Sequence, residues 1–255
     1  MFNETLKIVK KAGKIFQEGY NNKKEITLKG AKDLVTEYDI KIEKFLKDEL
    51  KKLGANFIAE ESYYATDDLS NTFIIDPIDG TTNYAHQVPH CAISVAYYQN
   101  QKPKFGIVYN PILNELFHAI KGEGAYLNGE KIEVSKNDYF QRALIATGFP
   151  YSSAQNEADL KWVITKLNKV LPRCQDIRRL GSAALDLCYV ACGRYEGFYE
   201  INLKPWDVAA GMLIVKEAGG EVTNNYGESY NLFEDKCIVA SNILIHEKLV
   251  QLLEG

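Results

Sequence analysis

An apolar run over Thr72–Asp76 passes directly into a turn that carries two aspartates, Asp76 and Asp79. The run has the length and composition of a buried strand, so the turn lies where that strand ends. Two carboxylates on such a turn can be aimed at one cation, and hard divalent cations such as Mg²⁺ take oxygen ligands. Pro77 restricts the turn, and Gly80 allows the backbone to approach a phosphate group closely. The segment therefore predicts a strand that carries an acidic metal site into a cleft.

The competing interpretation of this segment is an ordinary surface turn, because Asp, Pro and Gly are the commonest turn residues. Two observations favour the metal site. The aspartates follow the apolar run without a spacer. Thr81 and Thr82 come next, and their hydroxyl groups are placed to serve a metal ion or a water molecule.

A second acidic position lies in the segment Pro205–Gly220, where Asp207 opens an apolar helical pattern that Gly219 or Gly220 closes. The simpler interpretation makes Asp207 a helix N-cap beside the apolar Trp206. A site role is compatible with capping, because a helix start already presents N–H groups that attract phosphate. Asp207 is therefore a candidate site residue as well as a candidate cap.

Hydrophobic periodicity predicts alternating helices and strands along the whole chain. The first two helices are expected over about 1–20 and 36–53, the second closed by Gly54 as C-cap. Segments rich in Val, Ile, Tyr and Phe then predict antiparallel hairpins. Further alternation suggests stacked helix and sheet layers. The expected strands are 57–59, 72–76, 91–99, 104–110, 115–120, 143–147, 197–201, 221–224 and 237–240, and the later helices are 156–171, 182–192, 208–218 and 243–253.

Composition and charge argue against several classes of protein. The chain has 255 residues with 30 Lys and Arg against 34 Asp and Glu, a net charge of −4, so it has no general electrostatic attraction for nucleic acid. No apolar run reaches the roughly 18 residues that a membrane span needs. The five cysteines are odd in number and form no CxxC pair, which argues against a disulfide framework or a zinc knuckle. We expect a soluble, cytoplasmic protein with no membrane partner.

Two segments together resemble the paired signatures of the inositol monophosphatase family. Residues 76–84 read DPIDGTTNY and residues 206–220 read WDVAAGMLIVKEAGG. Six fixed positions of the first signature recur by chance at roughly 10⁻⁸ per window when each residue type has a frequency of about 5%. The resemblance extends to Asp33–Thr36 with Asp39, to Ala59–Ser62 and to Gly181–Ala184, so it covers almost the whole chain.

The resemblance implies an α+β fold, a layered α-β-α-β-α sandwich of the inositol monophosphatase and fructose-1,6-bisphosphatase type. It implies an N-terminal half, residues 1–140, that carries most metal ligands. The C-terminal half, residues 141–255, would carry Asp207 and substrate-binding residues. A homodimer is also implied.

The resemblance further implies a site that holds two or three Mg²⁺ ions. Thr81, paired with Asp39, would orient the attacking water. The implied catalytic residues are Asp39, Thr81, Glu60 and Asp76. Neither His86 nor His90 receives a catalytic role. The implied metal ligands are Glu60, Asp76, the carbonyl of Ile78, Asp79 and Asp207. The implied substrate-binding residues are Asp79, Gly80, Thr81, Thr82, Gly181, Ser182, Ala183, Glu200, Lys204 and Asp207.

The activity implied is hydrolysis of a small phosphate monoester by a metal-activated water, with inhibition by lithium. Inositol 1-phosphate or a related sugar or polyol phosphate is the expected substrate. Fructose 1,6-bisphosphate, NADP(H) and histidinol phosphate stay open as alternatives, and 3′-phosphoadenosine 5′-phosphate is less favoured because that branch reads DGTxEF where this chain has Asn83 and Tyr84. From a different class, the protein could act as a binding partner in transcription antitermination or ribosome assembly.

Overall fold

The computed structural model describes residues 1–22, 24–28, 34–62 and 68–254. The helices within these ranges are α1 (Phe2–Asn21), α2 (Glu37–Leu50), α3 (Thr81–Ala85), α4 (Glu157–Val170), α5 (Ala183–Ala191), α6 (Pro205–Glu217) and α7 (Ile243–Leu253). The strands are β1 (Ile26–Leu28), β2 (Leu34–Thr36), β3 (Asn56–Ala59), β4 (Asn71–Asp79), β5 (Ala92–Gln99), β6 (Lys102–Asn110), β7 (Glu115–Ile120), β8 (Gly124–Leu127), β9 (Glu130–Ile132), β10 (Leu144–Thr147), β11 (Asp176–Arg178), β12 (Gly197–Ile201), β13 (Gly220–Thr223) and β14 (Cys237–Asn242).

Helices and sheets stack in alternating layers. Helices α1 and α2 pack on the outer face of a seven-stranded sheet, and α5 and α6 lie between that sheet and a five-stranded one. Helices α4 and α7 cover the far side of the second sheet. A separate apolar cluster fills each region: one under α1 and α2, one around α5 and α6, and one under α7. The layered α-β-α-β-α fold expected from the sequence is therefore confirmed.

The seven-stranded sheet runs β3-β4-β5-β6-β7-β8-β9, so its strands follow chain order. Strands β3 and β4 are parallel, and the other neighbours are antiparallel. Ala59 at the end of β3 pairs with Ile75, and the N–H of Glu60 donates to the carbonyl of Ile75 over 3.2 Å. Glu60 thus lies beside Asp76 at the same edge of the sheet.

The five-stranded sheet runs β11-β10-β12-β14-β13. Strand β10 is parallel to both of its neighbours, and the two pairs that include β14 are antiparallel. Because Thr147 pairs with Tyr199, the ends of β10 and β12 meet at one edge of the sheet. Gly148, which follows β10, and Glu200 of β12 are therefore neighbours.

The central helices α5 and α6 are apolar on nearly every face. Every residue of α5 is buried, and so are the residues of α6 from Val208 to Val215. A helix that is hydrophobic all round belongs in an interior, which is the position between the two sheets. The start of α5 is buried, with Ser182 there, whereas α6 begins at the wall of a cavity, where Asp207 is partly buried.

The outer helices have one apolar face each. In α1 the buried residues recur at helical spacing and include Val9, Ala12 and Phe16. Helix α2 begins with a capping box: Thr36 accepts from the N–H of Tyr38 over 3.2 Å, and the N–H of Thr36 donates to Asp39 over 2.7 Å. This box fixes the carboxylate of Asp39, which is fully buried.

Three expectations from the sequence need correction. The turn expected after Asp76 is part of β4, which continues irregularly to Asp79. Helix α6 begins at Pro205, two residues before Asp207, because Pro is favoured at the first helical position. Strand β11 has no apolar signal and was not expected.

Other expectations stand as they were. A short 3-10 helix, Lys51–Leu53, continues α2, and Gly54 with φ 77° caps this extension at the position predicted. The division into halves at residues 140 and 141 stays a prediction, and Asp33 lies outside the described residues. No helix in the described ranges has the length and apolar character to cross a membrane.

Candidate metal centre and catalytic cleft

Strand β4 carries an extra residue at the point where its two aspartates lie. Asp76 pairs with Ser94 and Asp79 with Ala92, so three steps along β4 face two steps along β5. In a regular strand, residues three apart point to opposite faces. The extra residue, a β-bulge, cancels this difference and allows both carboxylates to face one side. Pro77 is tolerated within the bulge because it has no N–H to pair.

Three aspartates converge at this point. One carboxylate oxygen from each of Asp76, Asp79 and Asp207 lies within 4.8 Å of the other two. Strand β4 supplies two of the aspartates and the first turn of α6 supplies the third. The cluster therefore joins the seven-stranded sheet to the central helix layer.

Asp79 also binds the start of α5. Its Oδ2 accepts from the N–H of Ala184 over 2.8 Å and from the hydroxyl of Ser182. A carboxylate at a helix start satisfies N–H groups that have no partner within the helix. Asp79 is thereby held in place by the helix, and among the described residues its other oxygen accepts no hydrogen bond.

Asp76 and Asp207 are each held by a backbone N–H. Asp76 Oδ1 accepts from Ile78 over 3.0 Å, and Asp207 Oδ2 accepts from Lys204 over 2.6 Å. Each carboxylate retains further acceptor capacity. The three side chains are therefore preorganised acceptors in one small volume.

Burial and mutual repulsion disfavour the charged forms of these acids. Burial, followed by the charges of Glu60, Asp79 and Asp207, raises the pKa of Asp76 well above its ordinary value. Burial and then the charge of Asp79 raise the pKa of Asp207 in the same way. Burial raises the pKa of Asp79 to about 6, although the hydrogen bond from Ser182 opposes the rise.

The donor set fits a hard divalent cation. Within the described ranges, no lysine or arginine forms an ion pair with Asp76, Asp79 or Asp207. Clustering buried, charged carboxylates without a compensating positive charge destabilises the folded protein. A bound cation supplies that charge, and an all-oxygen donor set suits Mg²⁺.

Thr81 and Asp39 form a hydrogen-bonded pair next to this cluster. The Thr81 hydroxyl lies 3.1 Å from Asp39 Oδ1 and 3.0 Å from the carbonyl of Ile78, and it can donate to one of them at a time. Asp39 Oδ2 accepts from both the N–H and the hydroxyl of Thr36. Burial raises the pKa of Asp39 to about 6, with the hydrogen bonds from Thr36 opposing it.

Gly80 connects the aspartate bulge to α3 in a left-handed conformation with φ 87°. A Cβ at this position would lie 3.0 Å from the carbonyl of His90 and 3.1 Å from that of Gly181. Glycine is therefore required both for the conformation and for the close approach of the two loops.

One cavity of about 760 Å³ contains most of the predicted site residues. This volume lies within the ordinary range of small-molecule sites. We call this cavity the catalytic cleft. The predicted residues that line it are Glu60, Asp76, Ile78, Asp79, Gly80, Thr81, Gly181, Ala183, Glu200, Lys204 and Asp207.

Glu200 is buried at the wall of the catalytic cleft. Burial, and then the charges of Asp186 and Asp207, raise its pKa well above the ordinary value. A Cβ at position 148 would lie 1.9 Å from Glu200 Oε2, so the carboxylate occupies space that only glycine leaves open.

Three predicted residues lie at the margin of the cleft. Glu60 lines it but is not a member of the three-aspartate cluster. Ser182 is buried behind the wall, where it binds Asp79. Thr82 lines a neighbouring, mainly apolar cavity of about 440 Å³.

Sequence reasoning missed several residues in and around the cleft. Gly148 gave no signal, because its role depends on the pairing of β10 with β12. Arg179 lines both cavities. His90 and Asp186 form a buried pair, with Nε2 3.3 Å from Oδ1, in the core beside the site. His90 does not line the cleft, and the expectation of no catalytic histidine stays a prediction.

Comparison with protein families adds an independent finding to this geometry. The model of the inositol monophosphatase family matches residues 1–255. The chain belongs to the inositol monophosphatase family. It is a phosphoric monoester hydrolase of that family, whose members are metal-dependent and generally use Mg²⁺.

The chain is similar to individual members of the family over most of their length. Inositol monophosphatase 2 of Solanum lycopersicum is 40% identical over 256 residues, covering 97% of this chain and 96% of the relative. A Nus factor SuhB of Pasteurella multocida is 39% identical over 236 residues, covering 90% and 87%. The crystal structure of extragenic suppressor protein suhB from Bartonella henselae superposes with a TM-score of 0.92 at 39% identity, covering 100% of this chain and 98% of that one.

Proposed function

We propose that this phosphatase hydrolyses inositol 1-phosphate or a related small sugar or polyol phosphate. The observation that carries the proposal is the presence in one cavity of the three-aspartate cluster and the buried Glu200. The cluster suits a cation and the phosphate that a cation attracts, whereas a buried carboxylate suits the hydroxyl groups of a polyol.

The proposed ligands of two or three Mg²⁺ ions are Glu60, Asp76, Asp79, Asp207 and the carbonyl of Ile78. When bound, Mg²⁺ supplies positive charge that neutralises a phosphate and lowers the pKa of water. The protein contributes fixed positions for the carboxylates of Asp76, Asp79 and Asp207, each already held by hydrogen bonds.

Thr81 and Asp39 are the proposed positioning pair for the attacking water. With the Thr81 proton directed at Asp39 Oδ1, the lone pairs of Thr81 Oγ1 are free to accept a hydrogen bond from that water. As the water attacks phosphorus, the bond between phosphorus and the substrate's alcohol oxygen breaks, one proton of the water passes to Thr81 Oγ1 and the Thr81 proton passes to Asp39. The departing alcohol oxygen takes its proton from solvent water. A carboxylate with a pKa of about 6 is a suitable acceptor near neutral pH.

The remaining proposed roles concern substrate binding. The backbone N–H groups of Gly80 and Thr81 hold the phosphate, as do those at the start of α5. Glu200 binds substrate hydroxyls. The full proposed set is Asp79, Gly80, Thr81, Thr82, Gly181, Ser182, Ala183, Glu200, Lys204 and Asp207.

A phosphate-release screen over phosphorylated metabolites tests the substrate proposal. The panel includes inositol 1-phosphate, fructose 1,6-bisphosphate, NADP and histidinol phosphate, each with Mg²⁺. We expect the highest kcat/KM for inositol 1-phosphate or a related polyol phosphate. A preference for NADP or histidinol phosphate would contradict the proposal.

Glu200→Gln is expected to reduce kcat/KM for inositol 1-phosphate by the equivalent of about 1–3 kcal/mol, the usual cost of a lost buried polar partner. Turnover of p-nitrophenyl phosphate should barely change, because that substrate has no hydroxyls for Glu200 to bind. Steady-state kinetics on both substrates measure the difference. Equal losses would move Glu200 into the catalytic machinery or the fold, and no loss would remove it from the site.

Gly148→Ala provides a matched test of the same idea without changing any charge. The added methyl group would lie 1.9 Å from Glu200 Oε2 and must displace the carboxylate. The same loss on inositol 1-phosphate is therefore expected, again with p-nitrophenyl phosphate spared. Retention of full kcat/KM on inositol 1-phosphate would show that the position of this carboxylate does not matter.

Lithium is expected to inhibit uncompetitively or noncompetitively with respect to substrate. Li⁺ is similar to Mg²⁺ in size but has half its charge, so it can enter an oxygen site made for a small cation without replacing its function. Initial rates at saturating Mg²⁺ and increasing Li⁺ measure this, with Na⁺ at equal ionic strength as the control. Equal rates in the two salts would contradict the prediction.

A binding role is the second candidate function. The relative named Nus factor SuhB favours it, at 39% identity over 90% of this chain. An affinity pull-down with wild type and with a metal-site variant separates the two functions. Recovery of the same transcription or ribosome-assembly proteins by both would establish a role that does not need catalysis.

Homodimer formation and a cytoplasmic location are proposed from the family alone. Light scattering coupled to size-exclusion chromatography measures the first. A mass equal to the 28.8 kDa chain would contradict it.

A further inference from the structure

Glu43 is a buried acid of α2 that does not line the catalytic cleft. It follows Asp39 by four residues, so the two acids lie on one face of the helix, one turn apart. Asp39 contacts Thr81, whereas Glu43 contacts the loop that follows β3 and carries Glu60. Helix α2 therefore reaches the site at two separate points.

Both carboxylate oxygens of Glu43 bind this loop. Oε2 accepts from the N–H of Glu61 over 2.7 Å, and Oε1 accepts from the hydroxyl of Ser62. Lys47, one turn further along α2, places its Nζ 2.6 Å from Ser62 Oγ and 3.9 Å from Glu43 Oε1. Hydrogen bonds to an ionised group are stronger than those between neutral groups. The two residues that follow Glu60 are therefore held firmly against α2.

Glu60 lies between this attachment and the sheet. Its N–H donates to the carbonyl of Ile75 over 3.2 Å, which continues the pairing of β3 with β4. Its side chain lines the cleft, where burial and then the charge of Glu60 raise the pKa of Asp76, so the two carboxyl groups are close neighbours. The rotamers open to a side chain depend on its backbone conformation. The contacts of Glu43 with the next two residues therefore affect where the carboxylate of Glu60 lies.

We propose that Glu43 is a positioning residue for the proposed metal ligand Glu60. By fixing the backbone at Glu61 and Ser62, it holds the carboxylate of Glu60 beside Asp76 and so increases the affinity of the site for Mg²⁺. The inference rests on the proposed function, in which Glu60 and Asp76 are Mg²⁺ ligands. Residues that hold metal ligands in place commonly contribute roughly 10–100-fold to metal affinity or activity.

A purely structural role for Glu43 makes a different prediction. Glu43 joins α2 to the loop after β3, so its loss should lower the melting temperature of the metal-free protein in either case. A structural role would leave the affinity of the folded protein for Mg²⁺ unchanged. The affinity for Mg²⁺ therefore separates a positioning role from a structural one.

Isothermal titration calorimetry of Mg²⁺ into the metal-free chain tests the proposal without substrate or turnover. Glu43→Ala is expected to raise the dissociation constant of Mg²⁺ about tenfold, the lower end of the losses seen for such residues. Glu43→Gln should lose less, because its oxygen can accept from the N–H of Glu61 while its amide group donates to Ser62 Oγ. A loss in Glu43→Gln equal to that in Glu43→Ala would overturn the proposal, by assigning the effect to the charge alone.

Two further single variants complete the comparison. Ser62→Ala removes one of the two contacts without changing any charge, and it should raise the dissociation constant about threefold, the equivalent of one hydrogen bond. It decides the question if Glu43→Ala does not fold, and an unchanged dissociation constant would then overturn the proposal. Glu49→Ala is the matched control on α2: Glu49 binds Lys52 at the surface over 2.5 Å, and its loss should leave Mg²⁺ binding unchanged.

Combination with Glu60→Gln shows whether Glu43 acts through Glu60. If it does, Glu43→Ala should change the dissociation constant little once Glu60 has been replaced, because the ligand that it positions is gone. An equal, tenfold rise in both backgrounds would overturn the proposal. The effect of Glu43 would then be that of a nearby negative charge on the cation.

The same titrations distinguish this inference from the proposed function. If Glu60→Gln binds Mg²⁺ as tightly as wild type, Glu60 is not a ligand, and the role of Glu43 falls with that part of the proposed function. If Glu60→Gln weakens binding and Glu43→Ala does not, the proposed ligand stands and only the role of Glu43 is lost. Failure to hydrolyse inositol 1-phosphate would overturn the proposed substrate and leave these results unchanged.

Discussion

Replacing Asp76 by Asn is expected to abolish turnover while leaving the fold intact. Asp76 is a buried member of the three-aspartate cluster, and the pairing of β3 with β4 places it beside Glu60. A neutral amide is a much poorer ligand for a hard cation than a carboxylate. We expect kcat/KM to fall by more than about 100-fold, the upper end of the losses that result from mutating outer-shell partners of a metal site.

The fold should survive because Asn keeps what the metal-free protein needs. Its side-chain oxygen can still accept from the N–H of Ile78, and a neutral amide avoids both the burial of a charge and the repulsion from neighbouring acids that raise the pKa of Asp76. Differential scanning calorimetry in chelator should therefore give a melting temperature no lower than that of wild type. A ligand that binds only the folded state raises the melting temperature, so added Mg²⁺ should stabilise wild type and not the variant.

Asp48→Asn is the matched control for this experiment. Asp48 is exposed on α2, outside the catalytic cleft, and the change is chemically identical. Its activity and its response to Mg²⁺ should equal those of wild type. Full activity of Asp76→Asn, or of wild type in excess chelator, would exclude the metal mechanism.

The layers of this fold are visible in the sequence because each depends on local patterns. The one-sided apolar spacing of α1 identifies an outer helix, and the all-round apolar character of α6 identifies a central one. The hairpins from β5 to β7 follow from β-branched and aromatic runs separated by turns. What such patterns cannot give is pairing between distant segments, so β11 and its parallel contact with β10 were missed.

In the site, too, residues within one motif could be predicted from the sequence, whereas contacts between distant segments could not. The bulge at Asp76 and Asp79 was expected as a turn, since a strand that continues through a proline has no distinct sequence pattern. Arg179 lines the cleft and Gly148 lies against Glu200 in its wall only because the fold brings the ends of β10 and β12 and the loop before α5 together. Family motifs supplied the candidates for the metal and catalytic roles, whereas these two residues required the three-dimensional arrangement.

Thr81→Ala and Asp39→Asn are each expected to lower kcat far more than they change KM, and the double variant should be no worse than the poorer single one. Proton transfer by a positioned side chain contributes about 10²–10⁴-fold, so each single loss should fall in that range. Thr81 and Asp39 share one hydrogen bond in the path proposed for the proton, and residues that act as a unit are not additive.

Asp39 also caps helix α2, and the experiment must separate this structural role from its proposed role in proton transfer. Its Oδ2 accepts from the N–H and hydroxyl of Thr36, so Asp39→Asn also weakens the cap of α2. Loss of such a cap costs typically about 1 kcal/mol of stability. Thr36→Ala removes a hydroxyl of that cap without altering Thr81, and it is expected to lower the melting temperature while leaving kcat within a few-fold of wild type.

The decisive measurement is a double-mutant cycle in kcat for inositol 1-phosphate, with melting temperatures recorded for all variants. If Thr36→Ala lowered kcat as much as Asp39→Asn, the effect of Asp39 would reflect helix capping rather than the path of the proton. If the losses of Thr81→Ala and Asp39→Asn simply added in log kcat, the two residues would act independently, and Thr81 would orient the water without passing its proton to Asp39. The geometry around Thr81 predicts a single shared loss in kcat, with the melting temperature lowered by Asp39→Asn and by Thr36→Ala but not by Thr81→Ala.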